Sequence, residues 1–103
     1  MASLREPTYF VLAALLDGPL HGYGVAQRAA EMSGGRVRLA AGTLYGAFDR
    51  LSSEGLLEAD REEVVEGRRR RYYRLTDDGR DRLREEAARM HEAAAIVLKV
   101  VPA

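Results

Sequence analysis

The chain has 103 residues, 47% of them hydrophobic, with 16 Lys plus Arg against 16 Asp plus Glu and no cysteine. This suits one compact soluble domain with a single core, and it excludes a disulfide scaffold, thiolate metal sites, a cysteine nucleophile and thiol redox chemistry. At this size folding buries about 60–70% of the extended-chain surface, so a long helix left outside the core needs a partner.

Thr8 opens a first helix in which Tyr9, Leu12, Ala13, Leu15 and Leu16 recur at helical spacing before Asp17, Gly18 and Pro19 stop the run. His21 and Gly22 lead into a second helix with Val25, Ala26, Ala29 and Met32 on one face and Gly34 and Gly35 as terminator. The alternation over residues 36–39 suits a very short strand or an extended link. A third helix runs over 43–54, with Leu44, Ala47, Phe48 and Leu51 at i, i+3, i+4 and i+7 and Gly55 just past its end. Residues 56–65 and 69–75 flank Glu66 and Gly67, a pair suited to a tight hairpin. Thr76 then caps a long last helix whose positive end is met by Asp77 and Asp78. Within it Leu83, Ala87, Met90, Ala94, Val97 and Val101 form a heptad-like seam, expected to be a dimer interface rather than a contact with the chain's own first helix.

The neutral total conceals opposed blocks. Residues 54–66 hold six acids and one base, a local charge of −5, whereas residues 68–74 hold five arginines and no acid, a local charge of +5. The two blocks either pair across the hairpin as solvated strands or leave an arginine claw for phosphate. Three helices followed by a hairpin is the order of a winged helix-turn-helix, in which the third helix enters the major groove. The arginines fall at the wing tip, where phosphates or a narrow minor groove would lie. The fold class expected is therefore mainly α with a small β-hairpin. Residues 4–75 would form the DNA-binding unit and 76–101 the dimerisation helix.

Three segments, HGYGVAQ at 21–27, GTLYGAFDRLSSEGLL at 42–57 and GRRRRYYRLTDDGRDRL at 67–83, resemble the PadR family of bacterial transcriptional regulators. The resemblance implies a winged helix-turn-helix that dimerises through its C-terminal helix, usually represses transcription, and works in the bacterial cytoplasm on the nucleoid. It also implies a response to small phenolic or aromatic effectors between the first and last helices, for which Tyr9, Phe10, Met90 and Ala94 are the candidate lining, although such a stripe is more often plain core. Two departures stand out. Gly46 replaces the family's frequent Pro, loosening the start of the recognition helix, and there is no Trp to stack flat drugs in a dimer pore.

The expected DNA-binding set is Thr43, Tyr45, Gly46, Arg50, Arg68, Arg69 and Arg70, with Arg36 and Arg38 adding charge for the backbone. Thr43 suits a helix cap or a phosphate contact. Tyr45 suits a phosphate or base-edge contact, or a wedge between helices. Arg50 suits guanine or backbone, with a local ion pair to Asp49 as the safer assignment. Arg71 and Arg74 are expected to neutralise Glu62, Glu58 or the last helix. Of Tyr72 and Tyr73, one is expected beneath the wing and the other on the surface, and Tyr23 is read as helix packing. His21 and His91 are isolated, so no metal and no cofactor are expected. The partners are double-stranded DNA, a second copy and a small effector, with no membrane: no apolar run approaches the ~20 residues needed for a span, and residues 1–7 lack a signal-peptide layout. No nucleophile–base pair or phosphate-cradling loop argues for an enzyme. The competing reading is a winged-helix protein-interaction module without specific DNA binding.

Overall fold

A computed structural model describes residues 3–102, so the start of the 1–7 stretch lies outside the described residues. The elements are α1 (Glu6–Ala13), β1 (Leu20–His21), α2 (Gly22–Met32), α3 (Ala41–Ser53), β2 (Leu57–Val65), β3 (Arg68–Leu75) and α4 (Asp77–Leu98). The strands form one antiparallel sheet in the order β1-β3-β2.

The helix starts differ from the sequence expectation. Pro7 sits in the first turn of α1, where its fixed φ favours the helix and its missing N–H costs nothing, so α1 begins at Glu6 rather than Thr8. Helix α3 begins at Ala41 with Ala40 as an N-cap that offers no side-chain bond, which places Thr43 inside the helix and rules out its capping role. Gly46 lies within the same helix, whose hydrogen bonding continues through it. The third strand is also elsewhere. Residues 36–39 are an unpaired link, while Leu20 and His21 pair with Tyr73 and Tyr72.

Val11, Leu12, Leu15, Val25, Phe48, Leu51 and Leu57 are almost completely buried and bring α1, α2, α3 and β2 to one core. Tyr73 joins it from β3: its ring stacks on Phe48 with centroids 4.1 Å and planes 25° apart. An aromatic pair of this kind adds about 0.5–1.5 kcal/mol beyond burial, and it fixes the sheet against α3. Leu16 and Met32, expected on inner faces, are partly exposed.

The hairpin turns at Glu66 (φ 52°) and Gly67 (φ 77°). Positive φ at both central residues is the turn whose twist matches the flanking strands. Farther down, Ala59 pairs with Tyr73 and Glu62 with Arg71, so Asp60 and Arg61 together oppose Tyr72 alone. This bulge bends β2 and increases the local twist of the wing.

Thr76 caps α4 as expected, its hydroxyl accepting the Gly79 N–H at 3.0 Å. The helix packs on the core only through its first part. Leu83 is buried in the chain's own core, so it cannot belong to the proposed seam between copies. Glu86, also buried, accepts the Leu4 N–H at 3.0 Å and Arg89 Nη2 at 2.6 Å. From Ala88 to Leu98 every residue is exposed, and Val101 lies beyond the helix end. The molecule measures 55 × 26 × 22 Å.

Candidate nucleic-acid interface

Strand β1 places the start of α2 against the arginine strand. Because His21 pairs with Tyr72 and Leu20 with Tyr73, the segment that opens α2 is held one strand away from Arg68–Leu75. Tyr45 leans in from α3, its ring edge-on to Phe48 at 5.8 Å and its hydroxyl over Gly22. The result is a concavity of about 390 Å³ lined by His21, Gly22, Tyr23, Tyr45 and Arg68, Arg69, Arg70 and Arg71. Four cations and no carboxylate line it.

The rest of the hairpin explains why charge is concentrated here. Arg74 donates to Glu58 at 2.7 Å and to Asp60 at 3.2 Å, and Arg71 donates to Glu62 at 3.3 Å. These carboxylates hold both guanidinium groups more firmly protonated, Glu62 acting mainly on Arg71 and Glu58 on Arg74. Arg61 bridges Asp60 and Glu63 and lies 4.1 Å above the Tyr72 ring. Tyr72 donates its hydroxyl to Glu63 at 3.0 Å, and that bond, followed by the one from Arg61, lowers the Glu63 pKa. Towards the tip the pairing thins: Arg69 reaches Glu62 only at 3.9 Å. Among the described residues neither Arg68 nor Arg70 forms an ion pair with a carboxylate, and Glu63 acts on Arg70 only at longer range. Cross-strand pairing is thus present at the hairpin base, and the arginines at its end are left largely outside it.

His21 is the N-cap of α2, its Nδ1 accepting the Gly24 N–H at 3.1 Å. Its ring meets Tyr72 edge-on at 5.4 Å. Burial, and then the adjacent Arg70 guanidinium, hold the imidazole below its ordinary pKa against the opposing pull of Glu63.

Of the residues singled out from sequence, the concavity gathers Tyr45, Arg68, Arg69 and Arg70. Thr43 and Gly46 are exposed on α3. Arg50 turns the other way: its Nη2 donates to Thr8 Oγ1 at 3.1 Å, in a separate cleft with Arg5, Glu54 and Arg82, in place of the expected ion pair with Asp49. Arg36 is paired with Glu6 at 2.8 Å, and Arg38 lies in a cleft beside α2 with Gln27 and Glu31. Tyr73 is the tyrosine beneath the wing and Tyr72 the one that hydrogen-bonds at the surface. Tyr23, read as packing, is 74% exposed. Sequence reasoning missed His21 and Gly22 as parts of this surface, although the HGYG segment that contains them was one of the three motifs. Tyr9 and Phe10 are half-buried with rings edge-to-face at 5.3 Å, while Met90 and Ala94 lie on the exposed length of α4.

Among the described residues no group of three or more His, Cys, Asp or Glu could hold a metal ion, and no helix is long and apolar enough to cross a membrane.

Residues 11–85 match the model of the transcriptional regulator PadR-like family. The chain is 39% identical over 88 residues to transcriptional regulator Rv3488 of Mycobacterium tuberculosis, covering 85% of this chain and 78% of that one. It is 42% identical over 86 residues to an uncharacterized 37.1 kDa protein in transposon TN4556 of Streptomyces fradiae, which covers 84% of this chain but only 23% of that protein. Its fold is similar to that of Bacillus subtilis PadR in complex with operator DNA, with a TM-score of 0.72 at 21% identity, covering 94% of this chain and 60% of that one.

Proposed function

Because the chain belongs to the PadR-like family of transcriptional regulators, we propose that it is a homodimeric repressor that reads a pseudo-palindromic operator. The observation that carries the reading is the concavity in which Tyr45 of α3, the opening of α2 and four wing arginines converge. Helix α3 would enter the major groove with Tyr45, Gly46 and Thr43 towards it. Arg68, Arg69 and Arg70 would follow the adjacent backbone or minor groove. Arg36 is ion-paired with Glu6 and Arg50 is hydrogen-bonded to Thr8, so neither is counted in the direct contact, whereas the exposed Arg38 would add charge for the backbone. Glu58, Asp60, Glu62 and Glu63 then serve to neutralise the hairpin base, which restrains binding to random DNA.

Dimerisation would use the part of α4 beyond Glu86, with half-buried Ala87 and exposed Met90, Ala94 and Val97 as the seam. Two-fold symmetry then sets half-sites about one helical turn apart. A small hydrophobic or aromatic effector would act near Tyr9, Phe10, Met90 and Ala94, a place that needs a second α4 to close it.

Replacing Arg68, Arg69 and Arg70 by Ala tests the interface. Binding to operator and to random duplex should both weaken, and the dependence of log K on log salt should flatten, since each phosphate contact contributes a slope of about −0.9. Unchanged affinity in the triple variant overturns the wing assignment. Failure of the unaltered protein to bind any duplex at ~50 mM salt favours the protein-interaction reading. Selection from random duplexes should return a two-fold symmetric site, and an asymmetric one counts against the dimer.

A further inference from the structure

Two hydrogen-bond donors meet in the concavity with no acceptor between them. His21 Nδ1 accepts the Gly24 N–H, so in the neutral ring that nitrogen is bare and the proton resides on Nε2. Yet Nε2 lies 3.4 Å from Nη1 of Arg70, and a guanidinium can only donate. A ring accepting at both nitrogens would be an imidazolate, which does not form near neutral pH. Burial and Arg70 both disfavour the doubly protonated ring, so neutral Nε2–H and Arg70 N–H are directed at the same place.

The surrounding groups do not supply the missing oxygen. Glu63 is the carboxylate nearest in effect to both, but its oxygens are directed to Arg61 at 3.1 Å and Tyr72 at 3.0 Å, and neither His21 nor Arg70 forms a hydrogen bond with it. Nor is the ring free to turn away, because the bond to Gly24 and the edge contact with Tyr72 orient it.

We infer that His21 Nε2 and Arg70 together take one non-bridging oxygen of a DNA phosphodiester. Such an oxygen has lone pairs for both donors, and its charge relieves the repulsion they now share. The inference rests on the DNA-binding reading above and adds to it a positioning role. His21 precedes Gly22, over which the Tyr45 hydroxyl lies, so a phosphate gripped at His21 sets how far Tyr45 stands from the groove.

The substitution His21→Asn separates the two nitrogens' roles. Asn is a good N-cap through its side-chain oxygen, so the melting temperature should hold, but its shorter amide does not reach the position of Nε2. Affinity for operator and random duplex should fall about tenfold with the salt slope unchanged, because a neutral donor releases no counterion. Arg70→Ala should lower affinity and also reduce the slope by about one per subunit. The double variant should lose less than the two single losses multiplied, since both residues hold one oxygen. Wild-type affinity in His21→Asn overturns the inference. The unaltered protein gives a check that needs no variant: its His21 ring should be the Nε2–H tautomer, with a ring proton resonance that shifts when duplex is added, and an unmoved resonance also overturns it. If the unaltered protein binds no duplex at all, the DNA-binding reading itself fails, which is a different result.

Discussion

The Tyr45 hydroxyl occupies the space above Gly22, 2.8 Å from where a Cβ on that glycine would sit. Gly22 is part of α2 and has an ordinary helical backbone, so the side chain above it, and not φ, is what excludes a larger residue. Tyr45 is 51% exposed and can rotate outward. Gly22→Ala should therefore change stability by less than about 1 kcal/mol while moving the phenol off its seat. The expected result is an altered sequence preference in selection from random duplexes at near-normal melting temperature. An unchanged preference would show that Tyr45 does not read bases from this position.

Gly46 presents the opposite case. It lies in the interior of α3, and a Cβ there would meet nothing within 4 Å. Gly46→Ala removes backbone freedom from the unfolded chain and should stabilise the protein by about 0.5–1 kcal/mol, raising the melting temperature by roughly 4–8 °C per kcal/mol for a chain of this size. If the methyl instead weakens operator binding while the protein becomes more stable, the glycine serves close approach to DNA. A fall in melting temperature would mean that α3 is not the regular helix described above.

At Gly79 the backbone leaves no such room. A Cβ there would overlap the Leu56 carbonyl oxygen and lie 2.8 Å from its carbon, and that carbonyl also accepts the Thr76 N–H at 3.2 Å. Neither backbone can yield without separating α4 from the start of the wing. Gly79→Ala should cost about 2–4 kcal/mol, against ~1 kcal/mol for removing the neighbouring cap with Thr76→Ala. Denaturant unfolding of the two variants checks the order, and a Gly79→Ala variant as stable as the unaltered protein refutes the close approach.

The environments of Gly22 and Gly79 depend on residues distant in sequence, and Gly46 does not loosen the start of α3. Signals carried by neighbouring residues were legible: the turn at Glu66 and Gly67, the Thr76 cap, and the division of Arg71 and Arg74 from the tip arginines. Signals that depend on distant partners were not. Strand β1 is only Leu20 and His21, too short for any alternation, and it exists because Tyr72 and Tyr73 supply its hydrogen bonds. Arg50 has the spacing of an exposed recognition residue, yet Thr8, 42 positions away, determines where it points. Helix α3 starts at Ala41 because the chain enters it from an extended Ala40 without a polar cap to announce it. Leu83 fits the α4 seam by spacing, but the helix leaves the core only after it.

Glu86 gives the fold a pH dependence of defined sign. The Leu4 N–H, and then Arg89, hold its carboxyl below the usual carboxylate range, while burial opposes them. A carboxylate whose pKa is depressed in the folded state stabilises fully above its unfolded value of about 4.3, and that contribution disappears as pH falls through the folded value. Glu86→Gln keeps an acceptor for Leu4 but removes the charge facing Arg89. Its stability should therefore fall less steeply than that of the unaltered protein as the medium is acidified below about pH 5. Urea unfolding at a series of pH values measures the difference, and parallel curves would remove Glu86 from the account of acid sensitivity.

The proposed pairing of two copies would run through helix α4. Met90, Ile96, Val97 and Leu98 are all more than 40% exposed, so none contributes much to the chain's own core, and a charge introduced among them should leave that core intact. Val97→Asp places carboxylates of two copies against each other if the seam runs through Ala94 and Val97, and desolvating an unpaired charge there is strongly unfavourable. The variant should sediment as a monomer and lose the concentration dependence of its melting temperature. Its affinity for a palindromic site should drop by about 10²–10⁴, because the second half-site is no longer tethered to the first, while binding to a single half-site stays close to that of an unaltered subunit. A variant that still sediments as a dimer and holds the palindrome normally would place the contact between copies on a different face of the molecule.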